Sequence, residues 1–216
     1  MTKGGAFFDV DKTLLPGVSA EMLLVRAMLK GTVPGRFRWL PFLAEWLRLL
    51  PQGVTIARKA NKAYLAGALP DEVRGWARKL FDEQIAPRLG LRAGEWIERE
   101  RARGRAIVLL SGMPDLLLEP FADRFRPDLA IGTPLEVGAE GKLTGRRAGL
   151  HPYGVSKLVI ARAIAGERAW DPLACSAYGD HASDAHLLGW VGEAFAVDPD
   201  ERLRTEAARR GWTIVD

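Results

Sequence analysis

The stretch Ala6-Phe7-Phe8-Asp9-Val10-Asp11-Lys12-Thr13 decides how this chain is read. Ala6-Phe7-Phe8 is a short apolar run of the kind that forms a buried strand. Asp9 and Asp11 follow at once, and Leu14-Leu15-Pro16-Gly17 then turns the chain into a loop. In a parallel α/β sheet, ligands and catalytic groups collect at the carboxyl ends of strands. Two acids held together there repel each other unless a cation or a shared proton offsets the repulsion. The pattern therefore points to a metal-assisted site in which the two acids have separate tasks.

The 216 residues are 48% hydrophobic and 27% charged, which suits a globular chain with a full core and a smaller insert beside it. The single cysteine, Cys175, excludes an internal disulfide and fits a reducing, cytoplasmic location. Met1-Thr2-Lys3-Gly4-Gly5 leads straight into the first strand, so no signal peptide is expected. Net charge is +4 with scattered basic residues. Arg99, Arg101, Arg103 and Arg105 alternate with Glu98 and Glu100, which reads as a solvated helix face rather than a nucleic-acid surface. The most apolar segment, Phe37 to Leu50, is too short and too interrupted by Pro41, Glu45 and Arg48 to span a bilayer. Its Trp39, Phe42 and Trp46 read as helix packing, with an apolar substrate pocket as the alternative.

Periodicity divides the chain in three. After the first strand, residues 19–83 read as helices only. Ser19 caps one with an apolar face of Met22, Leu23, Val25, Ala27 and Leu29, ended by Gly31. The Trp/Leu segment, Ile56–Leu65 and a helix opened by Pro70 follow. From Gly94 the pattern alternates: helix 95–103, strand 106–110, helix 114–125, strand 129–131, a hairpin-like excursion near 142–145, helix 157–164, strand 173–178, helix 184–190, strand 193–197, helix 201–210 and strand 213–215. Such alternation indicates a doubly wound parallel sheet, an α/β Rossmann-like core. The expected division is a core of residues 1–15 and 86–216 and a helical cap of residues 16–85.

Three further signals fall at later strand ends. Ile107-Val108-Leu109-Leu110 runs into Ser111-Gly112, a hydroxyl and a small residue's N–H suited to phosphate oxygens. Lys157 opens a helix after Gly154-Val155-Ser156 and can supply a fixed positive charge. Tyr178-Gly179-Asp180-His181-Ala182-Ser183-Asp184 puts two carboxylates about one helical turn apart after a strand, a donor set that suits Mg²⁺. Each is weak alone; their order and spacing are not.

Together these motifs resemble the haloacid dehalogenase superfamily, in particular its phosphoserine-phosphatase-like branch with a helical cap after the first strand. The segments Ile131–Glu136, Ala196–Asp200 and Gly211–Ile214 look like connecting parts of that branch. The resemblance implies a Mg²⁺-dependent hydrolysis of a small-molecule phosphomonoester. Asp9 would be the nucleophile that takes the phosphoryl group, and Asp11 the general acid and base. Mg²⁺ would be held by Asp9, the backbone carbonyl of Asp11, and Asp180, with Asp184 and Thr13 supporting from behind. Ser111, Gly112 and Lys157 would hold the phosphoryl oxygens. Asp11-Lys12-Thr13 superficially looks like the signature of ion-pumping ATPases, but the strand delivers Asp9 at its end. In the cap, Glu21 and Arg58 do not match phosphoserine phosphatases in spacing. A phosphoserine or lipid-phosphate specificity, or a non-catalytic binding domain of the same fold, is the alternative. No nucleic-acid partner and no integral membrane segment are expected. His181 and His151 read as loop residues.

Overall fold

The computed structural model describes residues 4–33 and 37–216. Strand β1, Gly5–Phe8, is buried along its whole length. After it come helices α1 (Ala20–Lys30), α2 (Trp39–Leu49), α3 (Val54–Ala60) and α4 (Pro70–Leu80), with no strand among the described residues of this region. The remainder alternates: α5 (Leu91–Ala102), β2 (Ala106–Pro114), α6 (Asp115–Phe125), β3 (Leu129–Thr133), a hairpin of β4 (Leu135–Val137) and β5 (Leu143–Arg147), α7 (Val155–Glu167), β6 (Ser176–Gly179), α8 (Ala185–Leu188), β7 (Glu193–Val197), α9 (Glu201–Arg210) and β8 (Thr213–Val215).

Six strands pair in the order β3-β2-β1-β6-β7-β8, all parallel. From β1 the chain winds outward through β2 to β3, then returns to the other side of β1 and winds outward through β6, β7 and β8. The direction reverses between β1 and β6, and in such sheets that reversal opens a crevice beyond the strand ends. Alternate residues serve opposite faces. Phe8, Ile107, Leu109 and Tyr178 pack with α1, α4, α5 and α6, while Phe7, Val108, Leu110 and Ala177 pack with α7, α8 and α9.

Directly beneath the crevice, register places Phe8 beside Tyr178 and Tyr178 beside Phe195. Their rings stack with centroids 4.3 and 4.4 Å apart. The Tyr178 hydroxyl donates to fully buried Glu100 at 2.6 Å, and Glu100 also accepts from Arg105 (2.7 Å) and Ser176 (3.2 Å). Arg105 and Glu100 thus belong to a buried network, not to the solvated face that alternating charges suggest. A charge pattern reveals spacing but not which residue finds a buried partner.

Other boundaries shift for local reasons. Ser19 caps α1 and Gly31 ends it in the left-handed region (φ 68°). The buried face is Ala20, Leu23, Leu24, Ala27 and Met28, whereas Met22 and Leu29 are exposed. Ile56–Leu65 is not one helix: α3 stops at Ala60, and Ala63–Leu65 forms a separate 3₁₀ turn. Gly67 N–H donates to the Leu143 carbonyl (2.7 Å) and Leu143 N–H to the Ala68 carbonyl (2.8 Å), tying this segment to the β4–β5 hairpin. The largest departure is α2. Trp39, Leu40, Leu43 and Leu47 are exposed, and the residues it buries are Glu45 and Leu49. The Trp/Leu segment forms the expected helix, and of the three aromatic residues expected to pack, Phe42 and Trp46 do so half-buried while Trp39 is exposed.

Truncating the aromatic row should cost far more than truncating α2. Phe8→Ala should lower unfolding free energy by roughly 3–5 kcal/mol, and Leu40→Ala by less than about 0.5 kcal/mol. Urea unfolding of both variants checks this, and equal costs would contradict the burial described.

Candidate active site

Asp9 is the first residue beyond β1, held there because its N–H donates to the Tyr178 carbonyl at 3.0 Å. Asp180 is the first residue beyond β6, the neighbouring strand, so the switch point itself brings the two carboxylates together. The chain then makes a 3₁₀ turn, Ala182–Asp184, that folds Asp184 back over the strand end. Gly179 permits this close return: a Cβ there would sit 2.7 Å from Asp184 Cβ. Asp9, Asp180 and Asp184 each offer an oxygen within 4.8 Å of the others, and all three are buried or nearly so.

Lys157, near the start of α7, reaches into this group. Its Nζ donates to Asp9 Oδ1 and to Asp184 Oδ1, both at 2.6 Å. The lysine is 4% exposed, so these are charge-assisted bonds in a poorly solvated place. Burial pushes the Asp9 carboxyl up to about 6 despite the opposing charge of Lys157. Asp180 rises to about 8, chiefly through burial and then through the neighbouring Asp9 charge. One buried ammonium faces three buried carboxylates, an excess of negative charge. An all-oxygen donor set of this kind fits Mg²⁺, a hard ion that accepts a few carboxylates and keeps waters. Thr13 Oγ1 lies 3.4 Å from Asp180 Oδ1 and orients that carboxylate from behind.

Asp11 lies half-buried on the approach to the three-carboxylate group. Its Oδ2 accepts from Ser19 Oγ (2.7 Å) and its Oδ1 from Ala20 N–H (2.8 Å), so its carboxylate sits on the N-terminus of α1. Burial raises its pKa, opposed by these two hydrogen bonds. Asp11 thereby links the end of β1 to the helical segment. Lys12 between the two acids has φ 64°, a left-handed conformation that favours glycine or asparagine over a long side chain.

Ser111 and Gly112 do not stand at a strand-to-helix turn. β2 continues through them to Pro114, and its pairing with β3 shifts register between Leu110 and Pro114. The irregularity lifts the two residues out of the ladder and toward the crevice. A relay behind them was not legible in the sequence. Thr133 Oγ1 donates to the Gly112 carbonyl (2.8 Å) and lies 2.8 Å from His151 Nδ1. With its one proton given to the carbonyl, Thr133 must accept from His151 Nδ1–H, which leaves His151 Nε2 unprotonated. That nitrogen is buried and has no partner among the described residues. Burial, then the charges of Lys62, Arg147, Lys157 and Lys59, push His151 down to about 3, so it is neutral. His151 thus lies in the loop between β5 and α7, as expected, but it is buried there and acts as a brace. Thr133 and His151 lie 18 residues apart on either side of the β4–β5 hairpin, and nothing local marks them as partners.

These residues open into a cavity of about 810 Å³. Phe37, Phe42, Val18, Met22 and Val25 form an apolar wall, and Lys12, Arg26, Arg58 and Lys59 line it as cations. Among the described residues, no carboxylate pairs with these four within 4.0 Å. Glu21, in the same wall, is already neutralised: it accepts from Lys62 Nζ at 2.6 and 2.7 Å and from the Tyr64 hydroxyl at 2.9 Å. His181 caps the turn before Asp184, accepting from Ser183 N–H at 3.1 Å, and its Nε2 lies 3.5 Å from Asp200.

Residues 6–189 match the family model of the haloacid dehalogenase-like hydrolases. The chain belongs to that family. This hydrolase is 31% identical over 98% of its length to phosphoserine phosphatase SerB1 of Mycobacterium tuberculosis, spanning 70% of that protein. A protein of unknown function from Bordetella pertussis Tohama I superposes with a TM-score of 0.82 at 24% identity, covering 100% of this chain and 99% of that one. A phospho-aspartyl intermediate analogue of phosphoserine phosphatase superposes at 0.66 with 18% identity, covering 100% and 94%. At those identities the superpositions speak for the fold.

The raised carboxyl groups carry a pH signature. The native state holds protons on Asp9 and Asp180 that the unfolded chain, titrating near 3.8, has released. These two groups make metal-free stability fall as pH rises from about 4 to about 8, opposed below about 6.5 by the buried neutral His151. Mg²⁺ should raise the Tm, and more so at the upper end of that window. Thermal melts of the metal-free protein with and without Mg²⁺ test this; a larger Mg²⁺ effect at the acidic end would contradict the charge arrangement described.

Proposed function

We propose that this hydrolase is a Mg²⁺-dependent phosphatase that cleaves small-molecule phosphomonoesters through a phosphoryl group held on Asp9. The observation that carries this reading is Asp9 at the switch-point strand end, 2.6 Å from the Lys157 ammonium. A carboxylate nucleophile needs a neighbouring cation to admit an anionic substrate, and Lys157 meets that need. Ser111 and the Gly112 N–H, lifted by the irregularity in β2, complete a cradle for the phosphoryl oxygens. Asp9, Asp180 and the Asp11 carbonyl would hold Mg²⁺, with Asp184 and Thr13 behind; the ion would supply charge neutralisation on the transferring group.

In the first half-reaction an Asp9 oxygen bonds to phosphorus as the bond from phosphorus to the ester oxygen breaks. Asp11 gives its proton to the departing alkoxide. In the second, Asp11 takes a proton from water as that water bonds to phosphorus, and the acyl phosphate breaks to free Asp9 and inorganic phosphate. Asp11 joins this step to the helical segment, because the same carboxylate accepts from Ser19 and Ala20 at the start of α1. Residues 16–85 then act as a cap over the core of residues 1–15 and 86–216.

The cavity wall bears on the leaving alcohol. A substrate ammonium would need a carboxylate outside the reacting centre, and Glu21 there is occupied by Lys62 and Tyr64. The unpaired cations Arg26, Arg58 and Lys59 favour an alcohol carrying further negative charge. That reading supports a phosphoester other than phosphoserine.

Hydrolysis of an aryl phosphate should require Mg²⁺ and stop with EDTA. Asp9→Asn should abolish both turnover and acid-stable labelling by phosphate. Asp11→Asn should cut turnover by roughly 10²–10⁴-fold while leaving residue 9 competent to be labelled. Labelling that persists in Asp9→Asn would place the phosphoryl group elsewhere and defeat the proposal.

A further inference from the structure

Helix α2 carries apolar residues on its outer side as well as its inner one, where Leu49 is buried and Phe42 and Trp46 are half-buried. Trp39, Leu40, Leu43, Ala44 and Leu47 share one continuous arc at helical spacing. All are exposed, Leu40 by 82% and Trp39 by 63%. On the opposite side Glu45 is 8% exposed and paired with Arg48 through two hydrogen bonds of 2.7 and 2.6 Å. A helix that served only to cover the cavity would present polar residues to water. Exposed Val54 at the start of α3 extends the surface.

The charge of the segment that carries this face is lopsided. Between Ser19 and Lys62 the chain has eight basic residues and two acidic ones, whereas the rest of the chain has 23 and 25. Both acids are consumed internally, Glu21 by Lys62 and Glu45 by Arg48. Lys30 and Arg38, which do not line the cavity, are exposed with no carboxylate partner within 4.0 Å among the described residues. An exposed apolar stripe containing Trp and Leu, carried by a segment with a large excess of Arg and Lys, is the composition that lies in the plane of an anionic membrane surface. A second copy of this chain would bring like charges together, which disfavours a self-interface. No described helix is long and apolar enough to cross a membrane, so contact is confined to the interface.

We propose that the outer face of α2, on a segment rich in basic residues, docks this protein on anionic phospholipid bilayers. The helix serves two surfaces at once. Its half-buried Phe42, with Phe37 at 5.2 Å between ring centroids, forms part of the cavity wall, while Leu40, Leu43 and Leu47 face outward. Docking therefore brings the cavity wall to the lipid surface.

Co-sedimentation of the full chain with vesicles tests this independently of any phosphatase activity. The protein should pellet with vesicles of equal parts phosphatidylcholine and phosphatidylglycerol at low salt, and remain in solution with phosphatidylcholine alone. Binding should weaken as salt rises. The Leu40→Glu/Leu43→Glu variant, whose substituted positions are exposed, should keep its thermal melt and lose more than about tenfold in partitioning. Lys30→Glu/Arg38→Glu, which leaves the apolar stripe intact, should lose a comparable amount. Wild-type protein that stays in solution with the mixed vesicles, or a Leu40→Glu/Leu43→Glu variant that binds like wild type, overturns the proposal. So does sedimentation velocity showing a dimer that the same variant dissolves, since the face would then belong to a second copy.

Discussion

Lys157 is the one positive charge among three buried carboxylates, and the site depends on it. Without an ammonium 2.6 Å from both Asp9 and Asp184, burial and mutual repulsion would drive Asp9 and Asp180 still further toward their neutral forms. The partners come from distant parts of the chain: Asp9 from the first strand, Lys157 from α7, Asp184 from the turn after β6. Their meeting requires the complete parallel sheet, in which β1 lies between β2 and β6. The site is therefore also a test of the fold, because a slip of one residue in β1 would turn Asp9 away from the crevice.

Beneath the charges lies a stiff support. The stacked rings of Phe8, Tyr178 and Phe195 fix the three central strand ends relative to one another. Glu100, Arg105 and Ser176 satisfy the polar groups that this burial would otherwise orphan. Above the charges, the Thr133–His151 relay holds the Gly112 carbonyl from behind. Rigidity below and bracing at the side leave the helical segment, joined through Asp11 to α1, as the part able to vary with the alcohol. Its wall of unpaired cations and phenylalanines differs sharply in character from the acidic centre it faces.

Much of this was legible in the residues themselves. A short apolar run ending in Asp-x-Asp, a later one ending in Ser-Gly and a third ending in Gly-Asp marked three strands, because a parallel sheet buries both faces and leaves near-continuous hydrophobic runs. Ser19 and Gly31 marked both ends of α1, because capping depends on local backbone geometry. The inward face of that helix was misjudged: Met22 and Leu29 are as apolar as Leu24 and Met28, and periodicity alone does not choose between overlapping arcs. The same limit applied to α2, where apolar content predicts packing but the helix buries Glu45 with Leu49 and leaves Trp39, Leu40, Leu43 and Leu47 exposed.

The sequence by itself determined the strand-and-helix order, the chemical character of the acids and the order in which they occur, since all of these follow from local pattern and residue type. Only the tertiary structure decided which acid Lys157 would hold, that Glu21 would be neutralised by Lys62 and Tyr64, and that Thr133 and His151 would share one proton relay. Those are pairings across 18 to 148 residues. Each depends on a distance of a few ångströms that only the folded sheet and its covering helices establish.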